Sequence, residues 1–282
     1  MTAVEMDGIK LAQKLRAGFA RRAAALLPPP KMVMVLVGAD AASQSYLTRK
    51  AQDAAEIGLI AEQLTLPADI SRAGLLAEVA RLNEDPAVDG FFVQFPLPPG
   101  HDPAEVSAAI LPDKDIDGLG PVSLGRLVAG LAGLRPTTPA GIMALLAEYQ
   151  IPLAGKRALI IGRGALVGRP LSLMLSAKGS DAVVTTAHRS TLDLAALCQS
   201  ADLIVSAAGA PDLVRPEMIR PGATVIGTGI SYDAAGQMRS DIALGAEAVA
   251  GHLSAHPSSV GALTRAMLLG NLLAAAEAKR AG

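Results

Sequence analysis

Lys156-Arg157-Ala158-Leu159-Ile160-Ile161-Gly162-Arg163-Gly164-Ala165-Leu166-Val167-Gly168 is an apolar run that breaks into a glycine-rich turn. Residues 156–161 read as a buried strand and 169–177 as the helix that follows. A strand, a glycine turn and a helix in that order suit a phosphate. Free N–H groups at the helix start point at the anion, and glycine lets the backbone come close. The spacing is Gly-x-Gly-x-x-x-Gly, one residue longer than the usual dinucleotide fingerprint. Gly162, Arg163, Gly164, Val167 and Gly168 are therefore candidate cofactor contacts.

Three more strands are expected downstream, at 182–186, 202–207 and 223–226. They run out into His188-Arg189-Ser190-Thr191, Ala208-Gly209 and Gly227-Thr228-Gly229-Ile230. Small residues at strand ends admit a ligand to the backbone. His188, Arg189, Ser190, Ala208, Gly209, Gly229 and Ile230 join the candidates. An NAD site places an acid about 20 residues after the turn, on the ribose hydroxyl. No acid stands there in this chain. Arg189, with Ser190 and Thr191 beside it and Arg163 in the turn, offers a cation and hydroxyls to a 2′-phosphate. NADP is expected in preference to NAD.

Upstream, strands and helices alternate again. A helix over 9–27 stops at Pro28-Pro29-Pro30, and 32–37 is a buried strand closed by Gly38. A helix opened by Tyr46 runs to about Ile57. Strands are expected at 59–66 and 88–94, with a helix capped by Ser71 between them. Further helices are expected at 123–131, at 140–149 behind a Thr137 or Thr138 cap, and at about 262–281. This alternation predicts parallel sheets. The expected fold class is α/β with two domains. One comprises 1–120 with 264–282, completed by the C-terminal helix; the other, 121–263, is a Rossmann-type dinucleotide-binding domain.

Composition narrows the function. The 282 residues carry 25 Lys+Arg against 26 Asp+Glu, which gives no general pull toward nucleic acid or an anionic membrane. Aromatic residues make up 2%, too few for base-stacking platforms. No apolar run reaches the roughly 18 residues that span a bilayer. The acidic start of the chain has no apolar signal segment. The single Cys198 excludes an internal disulfide and fits a cytoplasmic setting. The histidines at 101, 188, 252 and 256 lack metal-ligand spacing, so no metal is expected.

Polar groups stand at strand ends and loops of the first domain: Tyr46 with Lys50, Gln94, and Asp117. Tyr46 and Lys50 are about one helical turn apart and share a face. Tyr-x-x-x-Lys also occurs in short-chain dehydrogenases, but there it follows the cofactor turn. Here it precedes that turn by more than 100 residues, which argues against that class.

Five segments in order carry a more specific likeness: Val37-Gly38 through Ser43, Tyr46 and Lys50; Val88-Asp89-Gly90 with Val93-Gln94-Phe95-Pro96-Leu97-Pro98; Pro112-Asp113-Lys114-Asp115-Ile116-Asp117-Gly118; Thr138-Pro139-Ala140-Gly141-Ile142-Met143; and Ile161-Gly162-Arg163 with Val167-Gly168-Arg169-Pro170. Over nearly its whole length the chain resembles the bifunctional methylenetetrahydrofolate dehydrogenase/methenyltetrahydrofolate cyclohydrolase family. The resemblance implies NADP-dependent oxidation of 5,10-methylenetetrahydrofolate to the methenyl form, then hydrolysis to 10-formyltetrahydrofolate. It implies that Lys50 is the central catalytic group and that Tyr46 packs on the folate and hydrogen-bonds Lys50. It further implies that Gln94 holds and tunes Lys50, and that Asp117 anchors the amino edge of the pterin. Ser43, Pro96 and Leu97 join Tyr46 and Asp117 on the substrate, Thr138 joins the cofactor contacts, and a homodimer paired through the nucleotide domains is implied. The chemistry suits these types: a carboxylate matches the two adjacent donors of a 2-aminopyrimidinone. A lysine with a lowered pKa is preferable beside a cationic amidine carbon.

The chain departs from the family pattern in places. Pro257-Ser258-Ser259-Val260-Gly261-Ala262 stands where the family usually has Pro-Gly-Gly-Val-Gly-Pro, in what is expected to be a loop near the nicotinamide. Two other readings stay open: a diverged paralogue that keeps the cyclohydrolase with weak or altered dehydrogenase activity, and a non-catalytic protein that binds folate or dinucleotide.

Overall fold

A computed structural model describes residues 2–232 and 238–281. The chain forms two compact units, Met1–Ala12 with Thr138–Thr264, and Gln13–Thr137 with Arg265–Gly282. The sequence reading divides the chain after residue 120; in the structure the division falls after Thr137. Residues up to Ala12 join the nucleotide-type unit because strand β1 (Val4–Glu5) pairs in parallel with β11 (His252–Ser254).

The unit built on 13–137 has a three-stranded parallel sheet in the order β3-β2-β4. The strands are β2 (Lys31–Val37), β3 (Ile60–Leu66) and β4 (Gly90–Val93), with Met32 opposite both Ala61 and Gly90. β2 is buried almost throughout because helices cover both faces of the sheet. On one face Met32, Met34, Leu36 and Phe92 pack with Leu47 and Ala54 of helix α2 (Ala41–Glu56). Leu268, Leu269, Leu272 and Leu273 of α9 (Pro257–Ala281) join that core. On the other face Val33, Val35, Val37, Phe91 and Val93 meet Leu75, Val79 and Leu82 of α3 (Arg72–Glu84) and Val106 of α4 (Pro103–Ala109). By length and composition α9 could cross a membrane, which corrects the expectation that no stretch is apolar enough. Its leucines lie in the core of this unit, as those of a core helix do.

The other unit carries a six-stranded parallel sheet, β1-β11-β8-β7-β5-β6. Its further members are β5 (Arg157–Ile161), β6 (Val183–Ala187), β7 (Leu203–Ser206) and β8 (Thr224–Gly227). An antiparallel pair, β9 (Ile230–Tyr232) and β10 (Met238–Ser240), stands apart from it. β5 has β6 on one side and β7 on the other. Strand order therefore reverses at β5, and the loops leaving β5 and β7 diverge there, which is where open α/β sheets bind ligands. Two α/β units with parallel sheets agree with the expected fold class.

Two helices begin earlier than their sequence signals suggest. α2 starts at Ala41, five residues before Tyr46, because the Asp40 carboxylate accepts the Ser43 N–H at 2.8 Å and caps it. α9 starts at Pro257, so Ser258 and Ser259 lie in its first turn and not in a loop. Ser259 is buried; its Oγ accepts the Gly8 N–H at 3.0 Å and lies 2.8 Å from Ser254 Oγ. A Cβ on Gly8 would stand 2.5 Å from that oxygen, so the serine and the glycine fit as a pair.

Candidate active site and nucleotide site

In the unit built on 13–137, the early start of α2 places Ser43, Tyr46, Leu47 and Lys50 in one continuous helix. Leu47 goes into the core and takes Lys50 inward with it; Lys50 is 5% exposed. Its Nζ donates to Gln94 Oε1 at 3.2 Å. It stands 3.8 Å from the centroid of the Phe92 ring and 4.7 Å from that of Tyr46. The Tyr46 contact is therefore with the ring face, and not the expected hydrogen bond to the phenol. Gln94 follows β4, and its N–H extends the ladder to the Val35 carbonyl at 2.8 Å. Its side-chain amide donates to the Phe95 carbonyl at 2.7 Å, which turns Oε1 toward Lys50. The Phe95–Pro96 bond is cis, and the chain then turns outward through exposed Pro96 and half-buried Leu97.

Two carboxylates of the 111–120 loop have separate tasks. Asp115 is buried and accepts the N–H groups of Gly118 at 3.1 Å, Leu119 at 3.3 Å and Gly120 at 2.8 Å, and the Ser123 hydroxyl at 2.6 Å. It shapes the loop. Asp117 is half-buried and has no hydrogen bond to any described residue, which leaves its acceptor capacity free.

Burial governs protonation here. It pushes the Lys50 amine down to about 8, with Asp117 opposing and Arg265 adding to the shift. It pushes Tyr46 up to about 12, so the phenol stays protonated. It also raises Asp117, against the pull of Lys50. The result is an amine that readily becomes neutral, two aromatic faces beside it and an uncommitted carboxyl nearby. That set can bind a flat heterocycle and move a proton.

The second sheet offers a different kind of site. Gly162 leaves β5 with φ +126°, and a Cβ there would stand 2.6 Å from the Ala207 carbonyl beyond β7. Gly168 opens α7 (Gly168–Ser176); its Cβ would meet the Gly162 carbonyl at 2.1 Å. Both glycines are required by backbone proximity at the point where the strand order reverses. Gly164 is exposed with open space around it, and Val167 precedes the helix without a side-chain cap.

Ile161 and Ala187 are register partners, so Arg163 and Arg189 leave neighbouring strands two residues later. Both are exposed, and neither has a hydrogen-bond or ion-pair partner among the described residues. His188, Ser190 and Thr191 form a tight turn, in which the Ser190 N–H donates to His188 Nδ1 at 3.2 Å and the Thr191 hydroxyl accepts the His188 N–H at 2.9 Å. Thr138 Oγ1 lies 2.9 Å from Thr264 Oγ1 in this unit. Gly229 faces the buried Asp241, where a Cβ would lie 2.2 Å from the carboxylate. The side chain of Ile230 lies outside the described residues.

Residues 6–117 match the family model described as tetrahydrofolate dehydrogenase/cyclohydrolase, catalytic domain, and 136–280 match that of its NAD(P)-binding domain. The chain belongs to this family. It is 48% identical to the bifunctional protein FolD of Acidiphilium cryptum (strain JF-5), covering 99% of this chain and all of that one. It is 34% identical to the crystal structure of the FolD methylenetetrahydrofolate dehydrogenase/cyclohydrolase from Campylobacter jejuni, with a TM-score of 0.94 over 98% of this chain and 99% of that one. It is 32% identical, TM-score 0.94 with full coverage of both chains, to the Trypanosoma brucei FolD dehydrogenase-cyclohydrolase complexed with NADP cofactor and inhibitor.

Within the tetrahydrofolate dehydrogenase/cyclohydrolase family frame, the structure brings Tyr46, Lys50 and Gln94 into contact and sets Asp117 within electrostatic reach of Lys50. Sequence reasoning missed Phe92, Asp241 and Arg265. Phe92 reads as core from its strand, yet its ring lies beneath the amine. Asp241 accepts the Ser206 hydroxyl at 2.7 Å and the N–H groups of Ala208 at 2.9 Å, Gly209 at 3.3 Å and Ala210 at 2.9 Å, which fixes the loop after β7. Its only signal was Gly229, whose missing Cβ leaves room for it.

Proposed function

We propose that the chain oxidises 5,10-methylenetetrahydrofolate to 5,10-methenyltetrahydrofolate with NADP and hydrolyses the product to 10-formyltetrahydrofolate. The observation that carries this is the buried Lys50, held by Gln94 between the Phe92 and Tyr46 rings with Asp117 left uncommitted. The names of the FolD relatives support the same reaction pair.

Asp117 takes the amino edge of the pterin, and the Tyr46 face, Pro96 and Leu97 take its flat ring, with Ser43 at the start of the same helix. The methenyl carbon is cationic, so a neutral Lys50 amine is tolerated beside it where an ammonium is repelled. In hydrolysis a water oxygen bonds to that carbon and Lys50 accepts the water proton. The carbon–nitrogen bond of the ring then breaks, the ammonium returns that proton to the leaving nitrogen, and the remaining hydroxyl proton is released to solvent as the formyl carbonyl forms. Gln94 keeps the amine aimed in both steps. Burial of Lys50 makes this cycle feasible near neutral pH, because both forms of the amine are accessible.

NADP, when bound, supplies the hydride acceptor for the oxidation. The glycine turn of Gly162, Gly164 and Gly168 suits its pyrophosphate, since a Cβ at 162 or 168 would clash with neighbouring backbone and break the close turn that presents the helix start. Val167, Ala208, Gly209, Gly229, Ile230 and Thr138 would line the remainder. Arg163 and Arg189 support NADP over NAD: two exposed cations without partners stand at adjacent strand ends, with His188 and Ser190 shaping the turn between them and no acid in it. A homodimer paired through the nucleotide units is supported by the family resemblance and by β6, a sheet edge with Val183 58% exposed. A cytoplasmic setting is supported by the lone, buried Cys198.

The test supplies methylenetetrahydrofolate and NADP and follows absorbance of the methenyl product and of NADPH, with methenyl hydrolysis assayed separately. Both half-reactions are expected. Folded protein that turns over neither overturns the proposal.

A further inference from the structure

Lys50 and Asp53 lie three residues apart on α2, a spacing at which side chains meet. Asp53 could therefore pair with Lys50 and hold it protonated. It does not. Arg265 of α9 donates its Nε–H to Asp53 Oδ2 at 2.6 Å, in a pair only 16% and 13% exposed. Arg16 approaches the other oxygen at 3.7 Å and is itself tied to Glu56 at 3.1 Å. The Asp53 carboxylate, on the same helix as Lys50, is thus engaged by two guanidiniums.

We propose that Arg265 is a positioning residue for the hydrolysis: it engages the Asp53 carboxylate on the helix that carries Lys50 and withholds that charge from the amine. The inference rests on the folate reading above. An arginine suits the task because it cannot itself lose its proton, whereas a lysine in its place could. Asp117 on the 111–120 loop favours the ammonium, while Asp115 is spent on the loop's own N–H groups and the Ser123 hydroxyl. Gln94 after β4 is neutral. On α2, Tyr46 stays protonated and Arg49 is exposed, while Asp53 is neutralised by Arg265 and Arg16. Arg265 is the cation that acts on both Lys50 and Tyr46. Burial lowers Lys50 most, and Arg265 acts in the same direction against Asp117.

The test is the pH profile of methenyl hydrolysis in five proteins: unaltered, Arg265→Gln, Arg265→Lys, Arg265→Gln with Asp53→Asn, and Glu56→Gln. Activity rises with pH as Lys50 loses its proton. Arg265→Gln removes the cation and frees Asp53, so the midpoint moves up by roughly one pH unit, which is about a tenfold loss on the acid side. Arg265→Lys keeps the charge wherever its own ammonium stays protonated, so it follows the unaltered profile on the acid side. The double variant, with no free carboxylate, returns most of the way. Glu56→Gln, at the exposed end of the network, leaves the midpoint in place. An unmoved midpoint in a folded Arg265→Gln enzyme overturns the proposal. So does failure of both Arg265→Gln and the Arg265→Gln, Asp53→Asn double variant to fold while Arg265→Lys folds, since the pair is then a structural clamp. NMR titration of 13C-labelled Lys50 separates this from the folate reading. That titration moves up in Arg265→Gln whether or not turnover is found, and a Lys50 titration that stays put sinks the proposal by itself.

Discussion

The surroundings of Lys50 and those of Gly162 are both sites at the carboxyl ends of parallel strands, yet they are built from opposite materials. Around Lys50 the work is done by side chains: an amine, an amide, two rings and a carboxyl, with the amine and the Phe92 ring buried and the others half-buried. Around Gly162 side chains are missing where they matter, and what is presented is backbone, space and two exposed arginines. The first suits chemistry, because low dielectric shifts the protonation of a single group. The second suits recognition of a charged ligand by shape and by cations on its rim. Substitutions should therefore act in opposite senses: shortening side chains harms the first site, and adding them harms the second.

Lys50→Met tests the side-chain site most severely. Methenyl hydrolysis should fall roughly 10²–10⁴-fold, the usual range for losing a positioned acid–base group. Stability should move the other way. Lys50 falls from 10.5 in an exposed chain to about 8 when folded, so between those values the unfolded state binds more protons and stability rises with pH. The cost of burying the ammonium is fully present below pH 8 and gone by about 10.5. Lys50→Met should thus be more stable at pH 7 by roughly 2–3 kcal/mol, with the advantage fading as pH rises. Thermal melts from pH 6 to 10 check this; a less stable variant at pH 7 would break the electrostatic account.

Gly168→Ala tests the backbone site. Its methyl would meet the Gly162 carbonyl at 2.1 Å, and neither atom sits on a flexible side chain. Overpacking of this kind costs about 1–3 kcal/mol, and NADP titration should show affinity lost by a factor of about 10–100, with methenyl hydrolysis near normal. Arg189→Ala should raise the KM for NADP about tenfold and leave that for NAD unchanged, since only a 2′-phosphate needs the cation. An equal effect on both cofactors would remove Arg189 from that role. Ser259→Gly sharpens the comparison at its mildest. It deletes the acceptor for the Gly8 N–H and loosens a helix start, so the melting temperature should drop by the equivalent of about 1 kcal/mol while dehydrogenase rates hold steady. A marked rise in dehydrogenase rate would instead show that the serine obstructs the nicotinamide.

What was legible in the sequence follows the same division. Tyr46, Lys50, Gln94 and Asp117 sit in segments with strong local patterns, and Gly162 and Gly168 declare themselves by lacking side chains. Arg265 and Asp53 are 212 residues apart, and nothing local in either announces the other. Asp241 bonds a loop more than 30 residues away and reads as an ordinary surface acid. β1 and β11, of two and three residues, are too short for a period to emerge. The start of α2 was readable in principle from Asp40 and Ser43, but a polar run looks like a loop until the cap is recognised. Pro257 misled in the same way: proline both stops helices and begins them.

The position of α9 has a consequence for how the protein comes into being. Its first residues belong to the unit that also contains β1, and its later leucines complete the core around Met34 and Phe92. Domains emerging from a ribosome usually fold one after another as each becomes available. Here neither unit has all its parts until residues 257–281 have been synthesised. The nascent chain must therefore carry two unfinished cores at once, and this one helix closes both.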